Sequence, residues 1–169
     1  MTTASRPLQQ DQDRIHPPIR QITDALTFKV ARLAALNERA GALHFKSRHE
    51  MTVVQWRILG LTAAMGPVAS REVRDILFMD KGQFSRVVKQ LCERGLLRTA
   101  PSPENASAVD LHITEKGQAM HDVLIRFTAE RNESVVSVLT PDECAEFLRI
   151  LQKINAHNQN LLKLAGILP

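Results

Sequence analysis

Apolar positions along the chain fall into blocks whose spacing changes from helical to alternating and back. Ile15, Ile19, Ile22, Leu26, Val30, Leu33 and Leu43 recur mostly at three- and four-residue steps, which predicts one stripe on a long helix. Pro17 and Pro18 suit its first turn, where a missing N–H does no harm. Arg20, Lys29, Arg32 and Arg39 lie elsewhere on the surface of that helix. Thr52-Val-Val-Gln55 has the spacing of a capping box and opens a second helix with Trp56, Leu59 and Leu61, which Gly66-Pro67 ends. Ser70 is placed to cap a short third helix with Val73, Ile76 and Leu77 facing inward. Asp80 is placed to cap a fourth, which runs to the region of Arg94 and stops at Gly95.

The period then changes. Leu96-Leu97-Arg98-Thr99 reads as a strand, the segment from Pro101 to Ser107 as a loop, and Val109, Leu111 and Ile113 alternate as a second strand. Thr114 opens a further helix with Met120, Val123, Leu124 and Phe127 on one face. Thr140-Pro141-Asp142-Glu143 opens the last, with a cap, a first-turn proline and acids at the positive helix end. Phe147, Leu148, Leu151, Ile154, Leu161 and Leu162 carry its stripe. This order predicts a mainly α protein, a winged helix-turn-helix with a three-helix lobe and a two-stranded β wing between long terminal helices. The expected organisation is a disordered segment over 1–16, an N-terminal dimerisation helix over 17–50, the lobe over 52–113 and C-terminal dimerisation helices over 114–165. The terminal helices present more apolar stripe than so small a lobe covers, which predicts a homodimer.

Charge adds a partner. Counting Lys and Arg against Asp and Glu gives +3 for residues 1–51, +4 for 52–98 and −3 for 99–169. A basic middle beside an acidic C-terminal part points to a polyanion bound by the middle alone. No apolar run reaches the ~18 residues of a membrane span, and the polar N-terminus lacks a signal sequence, so the expected location is the cytoplasm. Cys92 and Cys144 form no CxxC pair and read as two reduced, partly buried thiols. The histidines 16, 44, 49, 112, 121 and 157 are scattered, with no nucleophile elbow, phosphate loop or HExxH. Neither an enzyme, a cofactor nor a metal is expected; His44, Arg48, His49 and Glu50 read as a polar connector between two helices.

The segment Asp80-Lys-Gly-Gln-Phe-Ser-Arg-Val-Val-Lys-Gln-Leu91 carries the most chemistry. Phe84, Val87, Val88 and Leu91 share an inward face, whereas Gly82, Ser85, Arg86 and Lys89 share an outward one. A helix entering a major groove needs a small outward face at its start and donors further along. Arg86 can fork onto guanine, Gln83 can read adenine, and Ser85 and Lys89 can hold phosphates. Lys81 and Arg98 complete the cationic set, and Asn105 and Ser107 supply the wing's polar groups.

These motifs resemble the MarR family of transcriptional regulators over roughly residues 20–160. Gln55-Trp56-Arg57, Leu91-x-x-x-Gly95-Leu-Leu and Ile113-Thr-Glu-Lys-Gly117 stand in the family's order and spacing. The resemblance implies a homodimer on a palindromic double-stranded DNA operator, usually a repressor released by a small aromatic acid or its thioester. It places that ligand between the dimer helices and the DNA-binding lobe. Arg20, Arg48 and His49 can pair with a carboxylate there, and Trp56 can stack on a ring or belong to the core. The chain departs from the family at the wing tip. Where the family carries Asp-x-Arg, this sequence has Asn105-Ala106-Ser107, and no Lys or Arg lies between Thr99 and Glu115. The alternative reading is therefore a dimeric interaction module of the same fold with weakened DNA binding.

Overall fold

In the computed structural model, residues 16–103, 105 and 108–167 are described. The chain divides into two compact units at Ile58/Leu59. In the first, a 3-10 turn over Ile22–Asp24 precedes α1 (Leu26–His49), and α2 (Val53–Met65) begins. The second holds the rest of α2, β1 (Val68–Ala69), α3 (Ser70–Ile76), α4 (Lys81–Glu93), β2 (Leu97–Pro101), β3 (Val109–Ile113), α5 (Glu115–Val136) and α6 (Pro141–Leu164).

The N-terminal helix starts later than its apolar stripe suggests. Pro17–Gln21 are not helical, because the Asp24 carboxylate accepts the backbone N–H groups of Arg20 and Gln21 at 3.0 and 3.1 Å. That local bond competes with helix formation, so Arg20 lies on an extended lead-in and not on α1. Ile15 and the rest of the expected disordered segment, apart from His16, lie outside the described residues. The Thr52–Gln55 capping box forms as its spacing requires: Thr52 N–H donates to Gln55 Oε1 at 2.9 Å, and Gln55 N–H to Thr52 Oγ1 at 3.1 Å. Phe45, Met51, Trp56 and Ile58 are buried within this first unit.

In the second unit, the core comprises Leu59, Val68, Val73, Phe84, Val88, Leu91, Leu96, Leu97, Leu111 and Leu124. The expected two-stranded wing is part of a three-stranded antiparallel sheet in the order β1-β3-β2. Its third member pairs Val68 with Leu111 and Ala69 with Asp110; two residues are too few to show a period. Ser70 is the first residue of α3, not its cap, since Ala69 takes that place without a side-chain bond. Of the three residues expected to face inward on α3, Val73 is fully buried but Ile76 is 45% exposed. A seven-residue helix offers the core one turn, and Val73 fills it. Phe78 closes α3 at φ +52°, with its N–H on Asp75 O at 3.2 Å and Met79 N–H on Arg74 O at 3.1 Å. A left-handed phenylalanine at a helix end costs about 1–2 kcal/mol relative to glycine.

Candidate nucleic-acid interface

The helix α4 is fixed at both ends. The Asp80 carboxylate accepts from Gly82 N–H at 2.8 Å and Gln83 N–H at 3.1 Å. These bonds, that from Gln83 first, hold the Asp80 carboxyl below the ordinary carboxylate range. At the other end, Gly95 at φ +69° lets its own N–H reach Cys92 O at 2.8 Å and Leu96 N–H reach Leu91 O at 2.9 Å. Both bonds satisfy carbonyls that the helix leaves open.

The segment Ile113–Gly117 then ties α4 to α5. The Thr114 hydroxyl accepts from Gly117 N–H at 2.9 Å and donates to Gly95 O at 2.7 Å. Lys116 Nζ donates to Arg94 O at 2.8 Å, capping the end of α4. Gly117 is buried, and a Cβ there would collide with the Leu96 carbonyl oxygen. Thr114, Lys116 and Gly117 of this motif thus each have a physical task in aiming α4.

On α4, Phe84, Val88 and Leu91 are buried and Val87 is half-buried, whereas Lys81, Gly82, Gln83, Ser85, Arg86 and Lys89 are exposed. The Arg86 guanidinium lies back along the helix, Nε 3.4 Å from Gly82 O. Lys89 Nζ stands 3.8 Å from Glu93 Oε1, an exposed pair worth under about 1 kcal/mol that a phosphate can displace. Arg98, exposed on β2, is the cross-strand partner of His112, with Nη2 3.2 Å from His112 Nδ1. Asn105 is exposed, and Ser107 lies outside the described residues.

A groove of about 440 Å³ runs beside α4, bounded by Arg71, Arg74, Lys81, Ser85, Thr99 and Val109. The pattern reading missed Arg71 and Arg74. Their signal was present: two arginines at i and i+3 with Asp75 beside them, on a helix judged only by its apolar positions.

The residues singled out for an effector do not form one cluster. Arg48 is exposed and His49 half-buried on the last turn of α1, the His49 ring 5.8 Å from that of His44. Trp56 is buried, its ring 6.1 Å from Phe45 and tilted by 31°, so within this unit it is a core residue. Arg20 precedes α1, whose 24 residues make about 36 Å of helix at 1.5 Å per residue. One chain cannot bring Arg20 to Arg48 or His49. Cys92 and Cys144 are free and half-buried; burial, with the Glu93 charge, pushes the Cys92 thiol up, against thiolate chemistry there.

A helix capped at both ends, with a small and basic outward face beside an antiparallel wing, defines a winged helix-turn-helix DNA-binding protein. Residues 49–106 match the model of the MarR family. The chain is 27% identical over 114 residues to the HTH-type transcriptional regulator YkoM of Bacillus subtilis, covering 68% of this chain and 74% of YkoM. To the HTH-type transcriptional repressor NicR of Pseudomonas putida it is 24% identical, covering 66% and 70%. In fold it is similar to the PcaV transcriptional regulator of Streptomyces coelicolor, solved in complex with its natural ligand. That likeness has a TM-score of 0.67 at 22% identity, over 83% of this chain and 98% of PcaV. Over residues 49–106 the chain is therefore similar to the MarR family of transcriptional regulators. None of its described helices is long and apolar enough to cross a membrane.

Proposed function

We propose that this chain is a ligand-responsive repressor that works in the cytoplasm and binds a palindromic operator as a homodimer. A small aromatic acid or its thioester releases it. The observation that carries the reading is the outward face of α4, where Gly82, Ser85, Arg86 and Lys89 stand exposed above the buried Phe84, Val88 and Leu91. In this reading, Arg86 and Gln83 read base edges, and Lys81, Ser85, Lys89 and Arg98 hold the backbone. Asn105 and Ser107 add uncharged contacts from the wing. The exposed stripes of α1 (Leu26, Val30, Leu33) and α6 (Phe147, Leu148, Leu161) form the dimer. Because Arg20 is remote from its own Arg48 and His49, it serves the effector site of the second copy.

The test is affinity for the DNA upstream of the chain's own gene over a salt series. Arg86→Ala should cost about 1–3 kcal/mol and relax specificity. Lys89→Ala should weaken all sequences alike and lower the salt slope by about one. If Arg86→Ala is silent while Asn105→Ala abolishes binding, recognition lies in the wing and the assignment of α4 fails.

A further inference from the structure

The polar residues of α3 form an ordered cluster. Arg74 Nε and Nη2 lie 3.1 and 2.8 Å from Asp75 Oδ1, and Arg71 Nε lies 3.3 Å from Oδ2. One carboxylate therefore holds two guanidinium groups, one on each oxygen. The Arg71 side chain is 71% exposed, against 25% for Arg74 and 29% for Asp75. The carboxylate sits inside and the outer arginine stands in solvent. The hydrogen bond from Arg74, supported by Arg71, keeps the Asp75 carboxyl below the ordinary carboxylate range, so the cluster stays charged at neutral pH with a net +1.

Both arginines line the groove shared with Lys81 and Ser85 of α4 and Thr99 of β2, and among the described residues no Asp or Glu lines it. Arg71 binds Asp75 through Nε alone, so the two terminal nitrogens of its fork remain directed elsewhere. A guanidinium held this way is preorganised for a phosphate oxygen pair. The wing on the other side of the groove carries no Lys or Arg between Thr99 and Glu115.

We propose that Arg71 and Arg74 form a DNA-phosphate clamp on α3, that this clamp supplies backbone affinity the wing, without Lys or Arg between Thr99 and Glu115, does not, and that Asp75 is its positioning residue. The inference rests on the DNA-binding reading above and adds a contact surface to it. Phosphate contacts fix register and carry no sequence information, so the clamp raises affinity for every duplex alike.

The experiment uses the full-length protein with two labelled duplexes, the DNA upstream of its own gene and a scrambled sequence, over a salt series. Arg71→Gln and Arg74→Gln should each lower the slope by about one on both duplexes. Asp75→Asn is the decisive variant, because it adds net positive charge. A positioning role predicts several-fold weaker binding despite that charge, with partial rescue by Asp75→Glu. Tighter binding by Asp75→Asn would mean that the carboxylate only repels DNA, and the positioning role falls. Unchanged slopes for both arginine variants would remove the clamp, while loss on Arg86→Ala in the same series would leave the DNA-binding reading standing. Thermal unfolding checks each variant; should Asp75→Asn not fold, the exposed Arg71 decides alone.

Discussion

Lys116, in the first turn of α5, donates its ammonium proton to the carbonyl oxygen of Arg94 at the end of α4, at 2.8 Å. A cation on the last carbonyls of a helix satisfies an open acceptor and opposes the negative helix end. Lys116→Met keeps the aliphatic stem and loses both effects. It should lower stability by about 0.5–1.5 kcal/mol, read from the midpoint of denaturant unfolding.

Gly117 reverses the usual sign of a helix substitution. Glycine to alanine inside a helix ordinarily stabilises by about 1 kcal/mol. Here the added methyl meets the Leu96 carbonyl, so Gly117→Ala should destabilise by about 1–3 kcal/mol, the range for overpacking. A more stable variant in the same unfolding measurement would show that the close approach of α5 to Leu96 is absent.

The apolar stripes of α1 and α6 predict the assembly. Sedimentation at micromolar concentration should give twice the chain mass of 18.9 kDa. Leu161→Glu, placing a charge on the exposed stripe of α6, should shift the species toward monomer and weaken operator binding with it. A clean wild-type monomer would remove both the dimer and the palindrome.

Effector release should depend on groups from two chains. Arg20→Ala and His49→Ala should each blunt the response of operator binding to aromatic carboxylates while leaving ligand-free binding largely intact. Wild-type response of both variants across a broad panel of acids would show that the pocket is elsewhere.

Acid stability tests the cap of α4. The Asp80 carboxyl is held below its ordinary range by the Gln83 and Gly82 N–H groups. Its folded pKa therefore lies below the unfolded value of about 3.9. Its contribution is present above that unfolded value and is lost as pH falls through the folded one. Asp80→Asn keeps an acceptor but does not titrate, so its unfolding midpoint should fall less steeply below pH ~4 than that of wild type.

Five element ends were legible in the sequence, whereas the start of α1 and the expected Ser70 cap of α3 were not. Thr52, Asp80, Gly95, Thr114 and Thr140 act where their residue types predict, because capping is a bond between a side chain and backbone a few residues away. The outward face of α4 was legible for a similar reason, since one strong period spans the whole helix. Two kinds of feature escaped. β1 and the exposed Ile76 depend on pairing and crowding set by distant residues. The delayed start of α1 depends on one carboxylate, Asp24, outcompeting the helix for two N–H groups. The Arg71–Asp75–Arg74 cluster was written in the sequence but lay on polar positions that apolar periodicity ignores.

Trp56 is the chain's one tryptophan, and there is no tyrosine. Ultraviolet emission excited at the red edge therefore originates from a single indole, seated against Phe45 at the junction of α1 and α2. The protein carries its own optical probe in the unit that holds Arg48 and His49, and none in the unit that holds α4. A change in that emission on adding an acid, with no change on adding DNA, would separate the two binding events without any label.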